Sequence, residues 1–125
     1  MTTLSEKVNL GDWLKWMVDR RFCLVEDVIT AVGGAVVGIV SGQTMQGAAG
    51  AKAVNSGGPC TAVLAEDVTL AEHIAGCSKL MLMRGPAIID SDMMVVDDPS
   101  DLTDLEALNI FAINSGLITW TIQTT

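Results

Sequence analysis

The sequence predicts a small, mainly β domain with one or two short helices and an extended N-terminal arm. Half of the 125 residues are hydrophobic and only 18% are charged, a balance that favours one packed core. From Phe22 onward, short β-branched runs alternate with glycine, a pattern typical of short strands joined by turns. We therefore expect an arm over residues 1–19 and one β-rich domain over residues 20–125.

The N-terminal arm differs from the rest of the chain by its mixed charges around large apolar side chains. Two spacings compete within it, one helical and one that alternates as in a strand, and the sequence leaves both open. The helical set is Leu10, Trp13, Leu14 and Met17, and the alternating set is Trp16, Val18 and Arg20.

Four short runs predict the strands of the domain. They cover residues 27–32, 36–40, 60–64 and 79–83, and Gly33 with Gly34 forms a turn between the first two. The stretch 41–59 is too rich in glycine for a stable helix. We expect it to form loops around one weak strand at residues 51–54.

The clearest helix begins near Pro99. Ser100 or Asp101 can cap it, and apolar residues follow at helical spacing through residues 102–113. A polar turn at residues 114–116 then ends the helix. Alternating apolar residues at 118–122 predict a half-buried terminal strand.

The charge of the chain excludes several classes of partner. The formal net charge is −8, every lysine and arginine lies at or before Arg84, and no basic run exceeds Arg20-Arg21. Nucleic-acid binding needs cationic side chains that contact phosphate, and binding to an anionic membrane surface needs cationic side chains too. The longest apolar stretch, 28–40, is shorter than the roughly 20 residues that cross a bilayer. We expect neither a nucleic-acid nor a membrane partner.

Candidate catalytic and metal-binding residues are few. His73 and Cys77 would share a face of a helix and could join Cys60 as metal ligands, but no fourth ligand or known motif completes the set. A histidine in a turn or short helix ahead of a strand is the simpler interpretation. The odd number and wide spacing of the cysteines predict reduced thiols. We therefore expect no metal, no cofactor and no enzymatic activity.

Two other functional hypotheses depend on single residue types. Several acidic residues after Arg84 could bind a hard cation, but a solvated acidic face is the more ordinary interpretation. Lys52 or Lys79 could be the modified lysine of a small β-domain carrier, although neither has the expected flanking pattern. The acidic residues are Asp90, Asp92, Asp97 and Asp98.

The order and spacing of five segments resemble the phage lambda-type head decoration proteins, which reinforce the capsids of tailed bacteriophages. No single segment is specific, and the resemblance covers roughly residue 11 to the C-terminus. The segments are GDWLKW at 11–16, DRRFC at 19–23, AVVGIV at 35–40, AVLAEDV at 62–68 and LMLMRGPAII at 80–89.

The resemblance implies a β-clip-like domain that forms a homotrimer at three-fold positions on the outside of the expanded phage head. It implies a structural virion protein, made in the host cytoplasm, that clamps neighbouring major capsid proteins and has no small-molecule substrate. Another viral self-assembling structural module is the alternative.

The arm of such proteins orders on the capsid, often by adding a strand to an exposed sheet edge. The alternative for its tryptophans is burial in the core of this domain. The expected capsid-binding anchors are Leu4, Val8, Leu10, Trp13, Leu14 and Trp16.

Overall fold

The computed structural model describes residues 10–54, 56 and 58–113, which form two β-sheets with short helices between the strands. This architecture confirms the predicted mainly β class. The strands are β1 Leu14–Met17, β2 Leu24–Ile29, β3 Thr44–Gln46, β4 Cys60–Leu64, β5 Cys77–Leu82, β6 Ala87–Ile89 and β7 Ile110–Ala112. The helices are α1 Leu10–Trp13, α2 Arg20–Cys23, α3 Leu70–Ala75 and α4 Ser100–Glu106, with a 3₁₀ turn at Ser91–Met93.

Sheet A has the strand order β1-β6-β7. β1 is antiparallel to β6, and β7 is parallel to β6. A hydrogen bond of 3.0 Å from Val18 N to the Pro86 carbonyl oxygen continues the pairing just past β1. β1 is thus an outer strand of the described part of sheet A, and it comes from the segment predicted as an arm.

Trp13 fixes this N-terminal segment in the domain. Its side chain is fully buried among core residues that include Ile89, Leu105 and Ile110. The indole Nε1–H donates to Ser41 Oγ at 3.0 Å, which provides the polar partner that a buried indole needs. Residues 10–17 are therefore part of the packed domain, although the sequence predicted a separate arm as far as residue 19.

Sheet B has the strand order β2-β5-β4-β3, and its neighbouring strands are antiparallel. Residues 52 and 53 lie between its two outer strands. Lys52 pairs with β2, because Lys52 N donates to Val28 O and Thr30 N donates to Lys52 O. Ala53 pairs with Gln46 of β3 through both of its backbone groups. This short segment closes sheet B into a small ring.

β4 is the strand that the sequence predicts best, because both of its faces are buried. Val63 belongs to the core that contains Trp13, whereas Ala62 and Leu64 belong to a second core with Ile29 and Met45. A strand buried on both faces is a continuous apolar run, and the predicted bounds 60–64 are confirmed.

The other strand predictions differ from the structure in their bounds. The prediction for 27–32 corresponds to Leu24–Ile29, that for 79–83 corresponds to Cys77–Leu82, and the weak strand at 51–54 is reduced to the pairings of residues 52 and 53. The strand predicted at 36–40 is wrong, because only Ile39 pairs there, in a single bridge with Val68. β3 was missed, since its three residues lie in the glycine-rich stretch.

The predicted helix near Pro99 is confirmed at its start and ends early. α4 stops at Glu106, and Asn109, with a positive φ of 63°, turns the chain into β7. Neither Ser100 nor Asp101 caps the helix, because Asp98 Oδ1 accepts from Ser100 N at 2.9 Å. The turn predicted at 114–116 and the strand predicted at 118–122 lie outside the described residues.

Asp101 instead attaches α4 to sheet B. Its buried carboxylate accepts hydrogen bonds from Thr44 Oγ1 at 2.8 Å and from Gln46 Nε2 at 3.3 Å. Asp104 Oδ2 accepts from Cys60 N at 2.9 Å. Buried polar groups without partners would destabilise the fold, and these bonds satisfy them. They also hold α4 over β3 and β4.

Replacement of Trp13 by alanine should destabilise the domain by about 3–5 kcal/mol, because it removes a fully buried aromatic side chain and leaves a cavity. The matched control is Trp16→Ala, for which we expect a change within about 0.5 kcal/mol because Trp16 is partly exposed. Urea unfolding followed by circular dichroism measures both. Equal effects of the two substitutions would contradict the placement of Trp13 in the core.

Candidate interaction surface

Large apolar side chains are exposed on and beside β1. Trp16 is 46% exposed, Val18 is 53% exposed and Phe22 is 48% exposed. Val18 lies two residues after Trp16, at the bend that follows β1. We call this set, together with Arg84 and Pro86, the Trp16 surface.

Phe22 is positioned by the short helix α2. Asp19 caps that helix, because its Oδ1 accepts from Arg21 N at 2.9 Å. Cys23, the next residue, is buried, and its carbonyl oxygen accepts from Met83 N at 2.9 Å. The helix is thus attached beside residues 83–86, where the Arg84 guanidinium carbon lies 5.0 Å from the centre of the Phe22 ring. This is a cation–π distance.

The structure separates the predicted anchors. Trp16 lies on the exposed surface, whereas Leu14 is partly buried against the core. The expectation that Trp13 is an anchor is corrected, because its indole fills the core of this domain as the alternative interpretation proposed. Leu4 and Val8 lie outside the described residues, and for Leu10 only the backbone is described.

Sequence reasoning did not include Val18, Phe22 or Arg84 among the candidate residues. A signal for Val18 was present, since it alternates with Trp16 along the chain. No local pattern connects Phe22 with Arg84, because only the pairing of distant segments brings them together.

A second exposed apolar region is formed by residues 32–40, which we call the Val36 loop. Val36 is 82% exposed at its tip, and Val37 beside it is also exposed. Leu70 and Ile74 of α3 are exposed as well. An open groove lined by residues 37–40 and 67–69 lies along the loop.

The Val36 loop is held at several points although its tip is exposed. Val32 N donates to His73 O at 2.9 Å, and Ile39 and Val68 exchange backbone hydrogen bonds of 2.8 and 2.7 Å. His73 Nδ1 lies 2.9 Å from Val37 O. Gly38 permits this close approach, because a Cβ atom there would collide with the carbonyl oxygen of Val68.

The other candidate chemical groups lie apart from these surfaces or inside the fold. Burial raises the pKa of the Cys60 thiol to about 12, and burial also raises the pKa of Cys77, so neither is an activated nucleophile. His73 lies in the short helix ahead of β5. Among the described residues, no group of three or more histidine, cysteine or acidic side chains is placed to hold a metal ion.

Lys52 forms a buried ion pair. Its side chain is 1% exposed, and Nζ lies 2.9 Å from Asp27 Oδ2. Asp27 Oδ1 accepts from Gly50 N at 2.8 Å. Lys79 pairs with Glu72 at 3.1 Å in a more exposed position. Burial places Lys52 out of reach of a modifying enzyme, which disfavours the carrier hypothesis for this lysine.

Lys52→Met should destabilise the domain by about 3–5 kcal/mol, because it leaves the Asp27 carboxylate partly buried without its cation. Lys79→Met is the control, with an expected cost within about 1 kcal/mol, since exposed ion pairs contribute little. Urea unfolding at neutral pH measures the difference. Equal costs would show that Lys52–Asp27 does not secure the ring of sheet B.

Asp27 should also give the stability a defined pH dependence. Burial acts to raise the pKa of this carboxyl, but hydrogen bonds from Lys52, Val28 and Gly50 outweigh burial, and the folded pKa lies below 3.8. Asp27 therefore stabilises the fold above pH 3.8, and this stabilisation is lost as the pH falls through the folded pKa. In Lys52→Met this loss should become smaller in a series of urea midpoints, because only the backbone hydrogen bonds from Val28 and Gly50 still lower the pKa of Asp27. The same acid sensitivity in both proteins would contradict this assignment.

No protein-family model, curated protein or solved structure matches this chain. None of the helices in residues 10–54, 56 and 58–113 is long and apolar enough to cross a membrane. The two exposed apolar regions are therefore the structural basis for a functional proposal.

Proposed function

We propose that this chain is a structural virion protein that binds the outside of an expanded phage head and clamps neighbouring major capsid proteins. The observation that carries the proposal is the Trp16 surface, which exposes three large apolar side chains beside an outer strand. The resemblance of the sequence to head decoration proteins supports the same function. The proposal requires no substrate and no cofactor.

The residue types of the Trp16 surface suit protein binding. Tryptophan and arginine are enriched among the residues that dominate binding energy at protein interfaces. An outer strand can also accept a strand from a partner, in which case backbone hydrogen bonds supply affinity and alternate side chains supply specificity. β1 combines both features, because Trp16 lies on an outer strand of sheet A.

The Val36 loop supports association between copies of the chain into the expected homotrimer. Residues 32–51, which include the Val36 loop, contain no charged side chain, whereas the whole chain carries −8. Copies of an acidic chain repel each other, so contact is most favourable where charge is absent. The Val36 tip of one copy would enter the groove beside residues 37–40 of the next copy, a head-to-tail contact that forms a ring where the rotation between copies closes. Because the loop is already held in place, little ordering entropy is lost on association.

A trimer would strengthen binding to the shell without further contacts. Each protomer presents one Trp16 surface, and after the first has bound, the other two bind at high effective concentration. Binding to the assembled shell alone then stabilises that shell by mass action.

Trp16→Ala should weaken binding to expanded shells assembled from the major capsid protein that is encoded with this chain. We expect a loss of about 2 kcal/mol, roughly 30-fold in affinity, as for other buried aromatic anchors at interfaces. Co-sedimentation across a concentration series measures it. Val28→Ala is the matched control, because Val28 is exposed on β2 outside both apolar regions.

Two further results separate the Trp16 surface from the rest of the N-terminal segment. A chain that lacks residues 1–9 keeps Trp13 and β1, and it tests the predicted anchors Leu4 and Val8. A deletion through Trp16 is not suitable, because it removes Trp13 from the core. Undiminished binding by Trp16→Ala would remove the Trp16 surface from the mechanism.

The double substitution Val36→Glu with Val37→Glu should convert the trimer into monomers, because it places charge at an uncharged contact. Light scattering coupled to gel filtration measures the mass. Val28→Glu adds the same type of charge at an exposed valine elsewhere and should leave the mass unchanged. An unchanged mass for the double variant would exclude the Val36 loop as the contact between copies.

A further inference from the structure

The Trp16 surface is bordered by most of the positive charge of an acidic protein. Of the seven lysine and arginine residues, four lie on or next to this surface, and all four are exposed. Two others are paired with carboxylates elsewhere, Lys52 with Asp27 and Lys79 with Glu72, and the seventh lies outside the described residues. The four are Lys15, Arg20, Arg21 and Arg84.

The positions of these cations follow from the elements that carry the apolar side chains. Lys15 precedes Trp16 in β1, and its Nζ donates to Gly11 O at 3.3 Å. Arg20 and Arg21 precede Phe22 in α2, and Arg84 lies over the Phe22 ring. Residues 14–22 contain only one acid, Asp19, which accepts from Arg21 N as the cap of α2.

We propose that the Trp16 surface selects an acidic, apolar protein segment, which lies along β1 with its carboxylates directed to the four cations. This inference rests on the proposed binding role of the Trp16 surface and adds the charge of the partner. Arginine forms paired hydrogen bonds with carboxylates, and complementary charge steers association and rejects partners of the wrong sign. The net charge of −8 repels acidic proteins, and within the described residues the four cations favour their approach at the Trp16 surface.

A nucleic acid is the competing ligand, because phosphate also attracts arginine. Trp16 and Phe22 offer flat faces on which bases could stack, but the net charge of −8 repels a polyanion that extends beyond four cations. An acidic segment that also carries apolar side chains matches both the cations and the exposed apolar side chains of the Trp16 surface.

The test uses the full chain and two synthetic peptides of equal length, one alternating valine with glutamate and the other alternating valine with lysine. Calorimetry measures affinity, and the indole resonance of Trp16, assigned with Trp16→Phe, reports contact at the surface. We expect the glutamate peptide alone to bind and to shift that resonance. Binding of both peptides or of neither, or tighter binding of duplex DNA, would overturn the inference.

A matched pair of variants separates local charge from net charge. Arg20→Gln with Arg21→Gln should weaken binding of the glutamate peptide at least about tenfold, as for other close charge pairs at interfaces. Ser78→Glu with Thr103→Glu lowers the formal charge by the same two units at exposed positions in β5 and α4, and it should have at most about a twofold effect. Equal weakening by both variants would overturn a local role.

The shell assay distinguishes this inference from the proposed function. If shell binding falls with Trp16→Ala but persists in Arg20→Gln with Arg21→Gln, the capsid-binding role stands and the acidic partner is excluded. If no variant and no wild-type protein binds shells, the proposed function fails, and the peptide experiment still decides whether this surface prefers acidic segments.

Discussion

Burial of the Trp13 indole is the constraint on which the rest of the structure depends. It joins the N-terminal segment to the core shared by sheet A and α4, and its hydrogen bond to Ser41 extends that attachment to the loop before β3. Because Trp13 immediately precedes β1, its position fixes where β1 meets β6. The pairing with β6 shifts in register between Leu14 and Trp16, and the neighbouring residues Lys15 and Trp16 are both exposed.

The two sheets differ in whether their outer strands have a further pairing partner within the described residues. Sheet B joins its own outer strands through residues 52 and 53, and the buried Lys52–Asp27 pair secures this closure. In the described part of sheet A, β1 has a single neighbour, β6. An outer strand attracts other chains unless it is covered. The structure therefore concentrates its capacity for strand pairing on the sheet that carries the Trp16 surface.

The sequence predicts those elements whose own residues determine them. β4 is a continuous apolar run because both of its faces are buried. Thr69 and Glu72 form a capping box at the start of α3, a local signal of the same kind, although the sequence interpretation left a turn or a short helix open there. Long-range contacts decide the others. The valines at 36 and 37 have strand propensity, but the bonds of the loop to α3 and Val68 leave them exposed. Aspartate is a residue type that often caps helices, yet the Asp101 carboxylate accepts hydrogen bonds from Thr44 and Gln46 instead. The Trp16 surface was predicted only in part for the same reason, since Phe22 and Arg84 meet through tertiary pairing.

The closure of sheet B has a consequence for how the chain reaches its native state. β2 pairs with β5, far away in the sequence, and residues 52 and 53 must fit between the outer strands β2 and β3 before the ring is complete. Pairings of this kind have a high contact order, so folding is slow compared with that of a helical bundle of equal length. Until residues 52 and 53 are in place, β2 and β3 are open to other chains. The rate of ring closure then sets how long these strand edges are exposed to other chains during expression.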